Sequence, residues 1–547
     1  MLLVAVALIA CSSAVTTFAS EPASSNAATT LAIGEPLNDS LDAQGNSPTI
    51  VIPASPGDFI RGAVDGEQLV LSLVDSTGNH IRQLTAGHGS TQTFMFVVGS
   101  EGPYAFSISG PAKGEFSLTL RSSIPLAEQK APQPELQSPR LRQLQQDLLK
   151  YPSTDRFWSE IRAAGAPLVE SEAVMPPLPK SDVLVTFLWR GVQRNVRLFG
   201  APSGDHDELH RLGDSDVWYR SYRVPRSARI DYRFAPDVPV FDGSPWERRR
   251  AILATAQRDP LNKLCFPADP VDIYDGSSVV ELPDAPHPSW IEPNPETPRG
   301  AITRHRLTSE TLGNTRDIHL YRPVGYRPGD PENGLLVVFD GDKYLQQIDA
   351  ATILDNLIAA KAIRTTAAIF VSNPSPESRS VELPCNPDFA NFIASELIPW
   401  AKGQEITASP ANSVIAGASY GGLAAAFIGH AHPEIFGNAY CQSGSFWWSP
   451  GSRPTLPASE PEWLARQIAD APRQPTRFHL EAGEFEVDIL NSTRHLRDVL
   501  TAKGYTLTHR EYASSHGYFY WRYTFANGLI DLLGSSTVAS TPDPVTQ

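Results

Sequence analysis

The sequence predicts an α/β domain, a mostly parallel sheet with helices on both faces, preceded by two β-rich domains. Three observations carry that expectation. Beyond Arg299, short runs of β-formers alternate with helical stretches. Between Ala27 and about Ser123, apolar residues recur at period two: Leu69, Leu71 and Leu73, then Tyr104, Phe106 and Ile108, then Phe116, Leu118 and Leu120. From Val183 a second group of strand-like runs begins, "VLVTFLWRG", "VRLFG", "DVWYRSYRV" and "ARIDYRFAP".

The chain has 547 residues, too many for one core. With 41% apolar and 19% charged residues it has an ordinary globular composition. Its formal charge of −15, with no compensating basic tract, argues against nucleic acid or an anionic membrane as partner. Met1 to Ala10 is an apolar run too short to span a bilayer. It reads as the core of an export signal lacking its usual leading Lys or Arg, so residues 1–26 are expected to be a leader and the protein periplasmic or envelope-associated. Leu8-Ile9-Ala10-Cys11 matches the bacterial lipoprotein signal, which would tether the chain to a membrane through a lipidated Cys11. Cleavage near Thr17-Phe18-Ala19 is the alternative. Cys265, Cys385 and Cys441 are widely spaced and form neither a metal knuckle nor a disulfide framework; they read as free thiols, with one bridge open in an oxidising compartment.

Residues 27–124 then form a β-sandwich with turn signals every ten or so residues, similar to the small jelly-roll domains appended to secreted bacterial peptidases. It carries no catalytic cluster, and an accessory role is expected. Residues 125–180 comprise a Pro- and Gln-rich linker and a helical segment spaced by Leu141, Leu144, Leu148 and Leu149. A β-rich domain at 181–295 ends in Pro-punctuated segments. The α/β domain occupies 296–535, with helices expected near Ile348 to Ala360, Phe389 to Lys402 and Thr493 to Lys503, and a disordered tail at 536–547 follows.

Ser419 lies in Val-Ile-Ala-Gly417-Ala-Ser419-Tyr-Gly421-Gly422, where β-formers break into glycines and continue as an alanine-rich helix. A serine at such a strand–turn–helix apex is the nucleophile elbow of an α/β-hydrolase, and the glycines make room for its strained backbone. In that fold the order is nucleophile, acid, histidine. His516, in a Ser-Ser-His-Gly loop between the last strand and the last helix, is the expected base. His430, His432 and His495 fall on helices, and His479 and His509 within strands, so they read as structural. The acid should follow "FHLEAG", which leaves Glu484, Glu486 and Asp488; Glu481, inside the strand end, reads as structural. The oxyanion needs two main-chain donors, expected from Tyr420 and from Asp342 after "LLVVFDGD", with Gly341 letting the backbone approach the substrate.

The motifs "VVFDGDKYL", "SRSVELPCNPDF", "SELIPW", "VIAGASYGGLAAAFIGHAHPEIFG", "CQSGSFWWSP", "LEAGEFE" and "HGYFYWR" are long and uncommon. With Trp218 and the "DPLN" segment upstream, they make residues from about 183 to 533 resemble the enterochelin (ferric enterobactin) esterase family. The resemblance implies Ser419 as nucleophile, His516 as base and Glu486 as acid. It implies that Arg379 and Glu382 order the loop beside the site, or that Arg379 meets an anionic catecholate. Trp447 and Trp448 would stack on aromatic rings or pack in the core. The implied substrate is a catecholate siderophore trilactone, with iron only as part of it and no resident metal or organic cofactor. The chain departs from the family pattern at Gly517, where aspartate is frequent, in an aromatic Tyr518-Phe519-Tyr520 run, and in its leader and extra β-sandwich. Arg248, Arg249, Arg250 and Arg190 could form a basic patch or a solvated face. Two other readings stay open: a secreted carboxylesterase for aryl, feruloyl or short acyl esters, and an envelope binding protein on an inactive hydrolase scaffold.

Overall fold

The computed structural model describes residues 29–87, 89–99, 103–129, 135–192, 194–204, 206–451 and 460–534. The expected leader with Cys11, part of the linker and the expected tail lie outside the described residues. The chain divides into two units, 1–134 and 135–547.

In the first unit, two sheets enclose one apolar core. One runs Thr29–Thr30, Ile50–Val51, Ala105–Ser109, Val70–Val74, His80–Gln83, and the other Pro36–Ser40, Glu115–Ile124, Phe59–Asp65, Thr91–Val97. Leu71, Phe106 and Ile108 meet Val64, Phe94 and Leu118 there, which is where period-two alternation must send them.

The second unit opens with helices Pro139–Leu148 and Asp155–Ala164, whose Leu141, Leu144, Phe157 and Trp158 pack on Leu188 and Val217. Two four-stranded antiparallel sheets follow and form an N-terminal module. One contains Asp182–Arg190 and Val217–Pro225; the other contains Val196–Gly200, Arg229–Pro236 and Ser277–Glu281. Val185 and Phe187 from the first pack on Leu198, Ile230, Tyr232 and Phe234 from the second.

The catalytic sheet has eight strands: β1 (Ala301–Ser309), β2 (Asn314–Arg322), β3 (Gly334–Phe339), β4 (Thr366–Val371), β5 (Ser413–Ala418), β6 (Asn438–Gln442), β7 (Arg477–Gly483) and β8 (Leu507–Tyr512). Their order is β1-β2-β4-β3-β5-β6-β7-β8, antiparallel through β1, β2 and β4 and parallel beyond. Strands β3 to β6 are buried along their whole length, as a sheet covered on both faces requires. Ile415 faces the layer built from helices Tyr420–Ala431, Trp463–Asp470 and Val487–Ala502. Val414, Ala416 and Ala418 face the helices Ala350–Ala359 and Tyr518–Leu533.

Two helices differ from the sequence expectation. The one expected near Phe389 to Lys402 runs from Pro387 to Gly403 with a π turn at Ile393–Leu397. Pro399 lacks an N–H and would crowd the carbonyl four residues earlier, and the wider turn relieves both. The helix expected from Thr493 starts at Val487, so Glu486 stands at its N-terminal boundary rather than in an open loop.

Candidate active site

Ser419 joins β5 to the helix Tyr420–Ala431 with φ 57° and ψ −121°. The turn closes so tightly that a Cβ on Gly417 would fall 2.6 Å from the Gly421 carbonyl carbon, and one on Gly422 would fall 3.0 Å from Gly444 Cα. Those two glycines are steric necessities. The Ser419 amide donates to Gln442 O and its carbonyl accepts from the Ser445 amide, both at 3.0 Å, which pins the strained residue to the end of β6. Among the described residues, Ser419 Oγ takes Ser445 Oγ as its hydrogen-bond partner, at 3.3 Å, and not His516. Hydrogen bonds between nucleophile and base are often long or poorly aligned until substrate binds.

His516 hangs between β8 and the helix Tyr518–Leu533. Its Nδ1 donates to Glu486 Oε1 at 2.9 Å, which sets the tautomer and presents Nε2 as the base. Glu486 Oε2 accepts the Gly483 amide at 3.1 Å, so both oxygens of this buried carboxylate are engaged. Glu484 and Asp488 are exposed, and neither bonds the imidazole. Glu481 lies fully buried in β7, accepting from Gln442, Thr524 and Tyr440; burial raises its pKa. The His516 ring stands edge-on to Trp521 at 4.9 Å, and Trp521 Nε1 donates to Ser443 Oγ at 3.0 Å. The histidine loop and the segment touching Ser419 are thereby joined through one tryptophan.

The turn after β3 supplies the second oxyanion element. Asp340 takes a left-handed conformation, φ 55°, and the Lys343 and Tyr344 amides close back on its carbonyl. The amides of Asp342 and Tyr420, the two expected oxyanion donors, both sit in first helical turns, where no intrahelical partner exists. Gly341 has a different reason from the one expected: a Cβ there would stand 2.6 Å from the Phe370 carbonyl carbon, so the glycine lets the turn pack on β4. The buried Asp340 carboxylate accepts from Arg379 Nε and Nη2 at 2.7 and 2.8 Å and from Asn373 Nδ2 at 2.6 Å. Burial works against the Arg379 charge, yet Asp340 holds its pKa above the ordinary value. Asp340→Ala would strand that guanidinium, and the variant is expected to lose about 3 kcal/mol of stability. A wild-type urea midpoint for this variant would show that the pair does not hold the turn.

A pocket of about 350 Å³ opens beside this turn, lined by Asp342, Lys343, Asn373, Arg379 and Tyr518 among others. Arg379 lies 5.8 Å from the Tyr420 ring, which faces Trp447 at 6.2 Å, so the aromatic wall runs from the pocket to Trp447. Trp448 instead packs on the core with Trp463 at 6.1 Å, the second of the two roles the resemblance left open for it. Glu382 is buried against Arg316 and Asn314, a separate pair from Arg379 and Asp340. Arg190 is tied to Asp155 and Asp216, so it adds nothing to a basic patch. Arg248, Arg249 and Arg250 are exposed on the short helix Pro245–Arg250. Among the described residues, no group of three His, Cys, Asp or Glu is arranged to hold a metal. Lys343, Asn373 and Ser445 were not singled out from the sequence. Asn373 could have been, since it follows the carboxyl end of β4, where functional groups of such sheets gather.

Two family models match the chain: "Enterochelin esterase, N-terminal" over residues 184–291 and "Putative esterase" over 309–532. The iron(III) enterobactin esterase of Dickeya dadantii (strain 3937) is 30% identical over 420 residues, covering 69% of this chain and 91% of its own length. That of Yersinia enterocolitica is 30% identical over 339 residues, covering 55% and 89%. Among solved structures, ferric enterobactin esterase from Salmonella typhimurium aligns with a TM-score of 0.55 at 26% identity, covering 69% of this chain and 98% of that one. The Shigella flexneri enterobactin esterase, solved in the presence of enterobactin, gives 0.53 at 27% identity, covering 65% and 94%. With its elbow serine and its paired histidine and glutamate, this chain belongs to the enterochelin esterase family of carboxylic ester hydrolases.

Proposed function

We propose that this enzyme hydrolyses the ester bonds of a catecholate siderophore trilactone and so releases its iron. The observation that carries the reading is the pocket beside the oxyanion turn, where the exposed Lys343 offers positive charge and the guanidinium of Arg379, paired with Asp340, leads to the Tyr420–Trp447 wall. An anionic aromatic acyl group needs both. In the reaction, His516 Nε2 takes the proton as Ser419 Oγ attacks an ester carbonyl. Glu486 stabilises the imidazolium, and the oxyanion lies against the amides of Tyr420 and Asp342. Collapse expels the alcohol arm, protonated by His516, and leaves an acyl-enzyme. Water, deprotonated by the same imidazole, then releases the acid. Opening the ring separates the catechol arms, and iron affinity falls with their effective concentration. Iron belongs to the substrate in this scheme, and the chemistry needs no resident metal or organic cofactor.

The apolar run at residues 1–10 supports action after export, in the periplasm or at the envelope, with a lipidated Cys11 as the tether. Turnover of ferric enterobactin, iron-free enterobactin and p-nitrophenyl butyrate by purified protein tests the substrate. The trilactones are expected to exceed the simple ester by about 100-fold in kcat/KM, because the simple ester leaves the site's polar groups unpaired. The reverse order would make the enzyme a general carboxylesterase.

A further inference from the structure

The loop that carries the catalytic histidine is held from the N-terminal module. Strand Arg229–Pro236 turns Ile230, Tyr232 and Phe234 into the module's own core and presents Arg229, Asp231 and Arg233 on its other face. The Arg229 amide donates to Ala513 O at 2.9 Å, and Arg229 and Ser514 form a parallel bridge. The Arg229 guanidinium is anchored in turn, 2.9 Å from Glu281 and 3.4 Å from the centre of the Tyr523 ring. Ser515 Oγ donates to Asp231 Oδ1. Both Asp231 oxygens also lie 3.4 Å from the place a Cβ on Gly517 would occupy. One carboxylate therefore bonds the residue before His516 and faces the open side of the residue after it.

We propose that Asp231 is a positioning residue for ester hydrolysis, fixing the loop that carries the catalytic histidine through its bond with Ser515. The N-terminal module then completes the general base rather than serving only as a separate binding domain. This rests on the esterase reading, not on which ester is cleaved. Glu486 reaches only Nδ1 of the ring, and the loop backbone includes a glycine, so the base needs a second hold to stay within reach of Ser419. The charged groups facing this corner are Glu486 from the end of β7, and Asp231 and Arg233 from the module; Trp521 and Tyr518 on the following helix add no charge. Burial pushes the Asp231 carboxyl up, while the Ser515 hydroxyl and an imidazolium at 516 pull it down.

Asp231→Ala removes the acceptor for Ser515, Asp231→Asn restores one without the charge, and Ser515→Ala removes the hydroxyl instead. The His516 ring resonances are recorded by NMR at one fixed pH in histidine-labelled full-length protein without substrate, assigned by loss of signal in His516→Gln. In Asp231→Ala they are expected to move from their wild-type positions, and kcat on p-nitrophenyl butyrate to fall about tenfold with KM unchanged. Ser515→Ala is expected to match it, and Asp231→Asn to recover most of the loss. An Asp231→Ala protein with wild-type resonances and kcat overturns the proposal, and so does one that loses thermal stability alone. Wild-type protein without turnover would remove the esterase reading, while the resonances, read without substrate, still decide on Asp231.

Discussion

Ser419→Ala is expected to lower turnover of any ester this enzyme takes by about 10⁴- to 10⁶-fold, leaving only what oxyanion donors and binding provide. The expectation follows from geometry rather than motif. Residue 419 is held at φ 57° by bonds to Gln442 and Ser445, in a turn that the absent side chains of Gly417 and Gly422 permit. Alanine keeps that backbone and loses only Oγ, whose partner Ser445 lies at 3.3 Å, so the thermal midpoint is expected to stay close to wild type. Ser419→Gly separates the two effects. It removes the nucleophile equally and also relieves the left-handed strain, so it should be the more stable variant by about 1 kcal/mol. Initial rates with a fluorophosphonate labelling control check both. Substantial hydrolysis by Ser419→Ala would mean that another group attacks the ester.

What the sequence made legible is what is local. Gly417-Ala-Ser419-Tyr-Gly421 announces its own turn, and a histidine between a last strand and a last helix can hang nowhere but at the sheet's carboxyl edge. The alternation of elements beyond Arg299 likewise implies the parallel sheet, although not the exchange that places β4 between β2 and β3. Three things stayed hidden, each for a physical reason. Trp447 and Trp448 sit in an irregular segment with no period to tell one face from the other; the structure puts one beside Tyr420 and the other on Trp463. Gly341 reads as room for substrate, but the atoms that demand it belong to Phe370 and Val371 on the neighbouring strand. Asp231 meets Ser515 only because two sheets far apart in sequence are packed together, and no local pattern encodes that contact. The acid lies between these cases. Its strand was readable, but the choice among three carboxylates depends on where a helix begins.

That choice sets the second large effect. Glu486→Gln keeps the size and one acceptor of the side chain while removing the charge that stabilises imidazolium, and its amide can present an N–H toward Nδ1 and impose the wrong tautomer. Where a triad acid acts this way the loss in kcat approaches about 10⁴-fold. Here we expect about 10²- to 10⁴-fold, because Asp231 still holds the histidine loop through Ser515. Glu484→Gln and Asp488→Asn should hold kcat within about twofold of wild type, since exposed carboxylates without a bond to the imidazole contribute only screened charge. The comparison also reports on the second carboxylate. If Asp231 holds the same imidazole, Glu486→Gln combined with Asp231→Ala should depart from the sum of the two single effects in free energy, as coupled neighbours do. If the losses simply add, the two acids act on the imidazole independently. A Glu484→Gln protein as impaired as Glu486→Gln would move the acid to the other side of the β7 turn and undo the assignment drawn from the 2.9 Å bond.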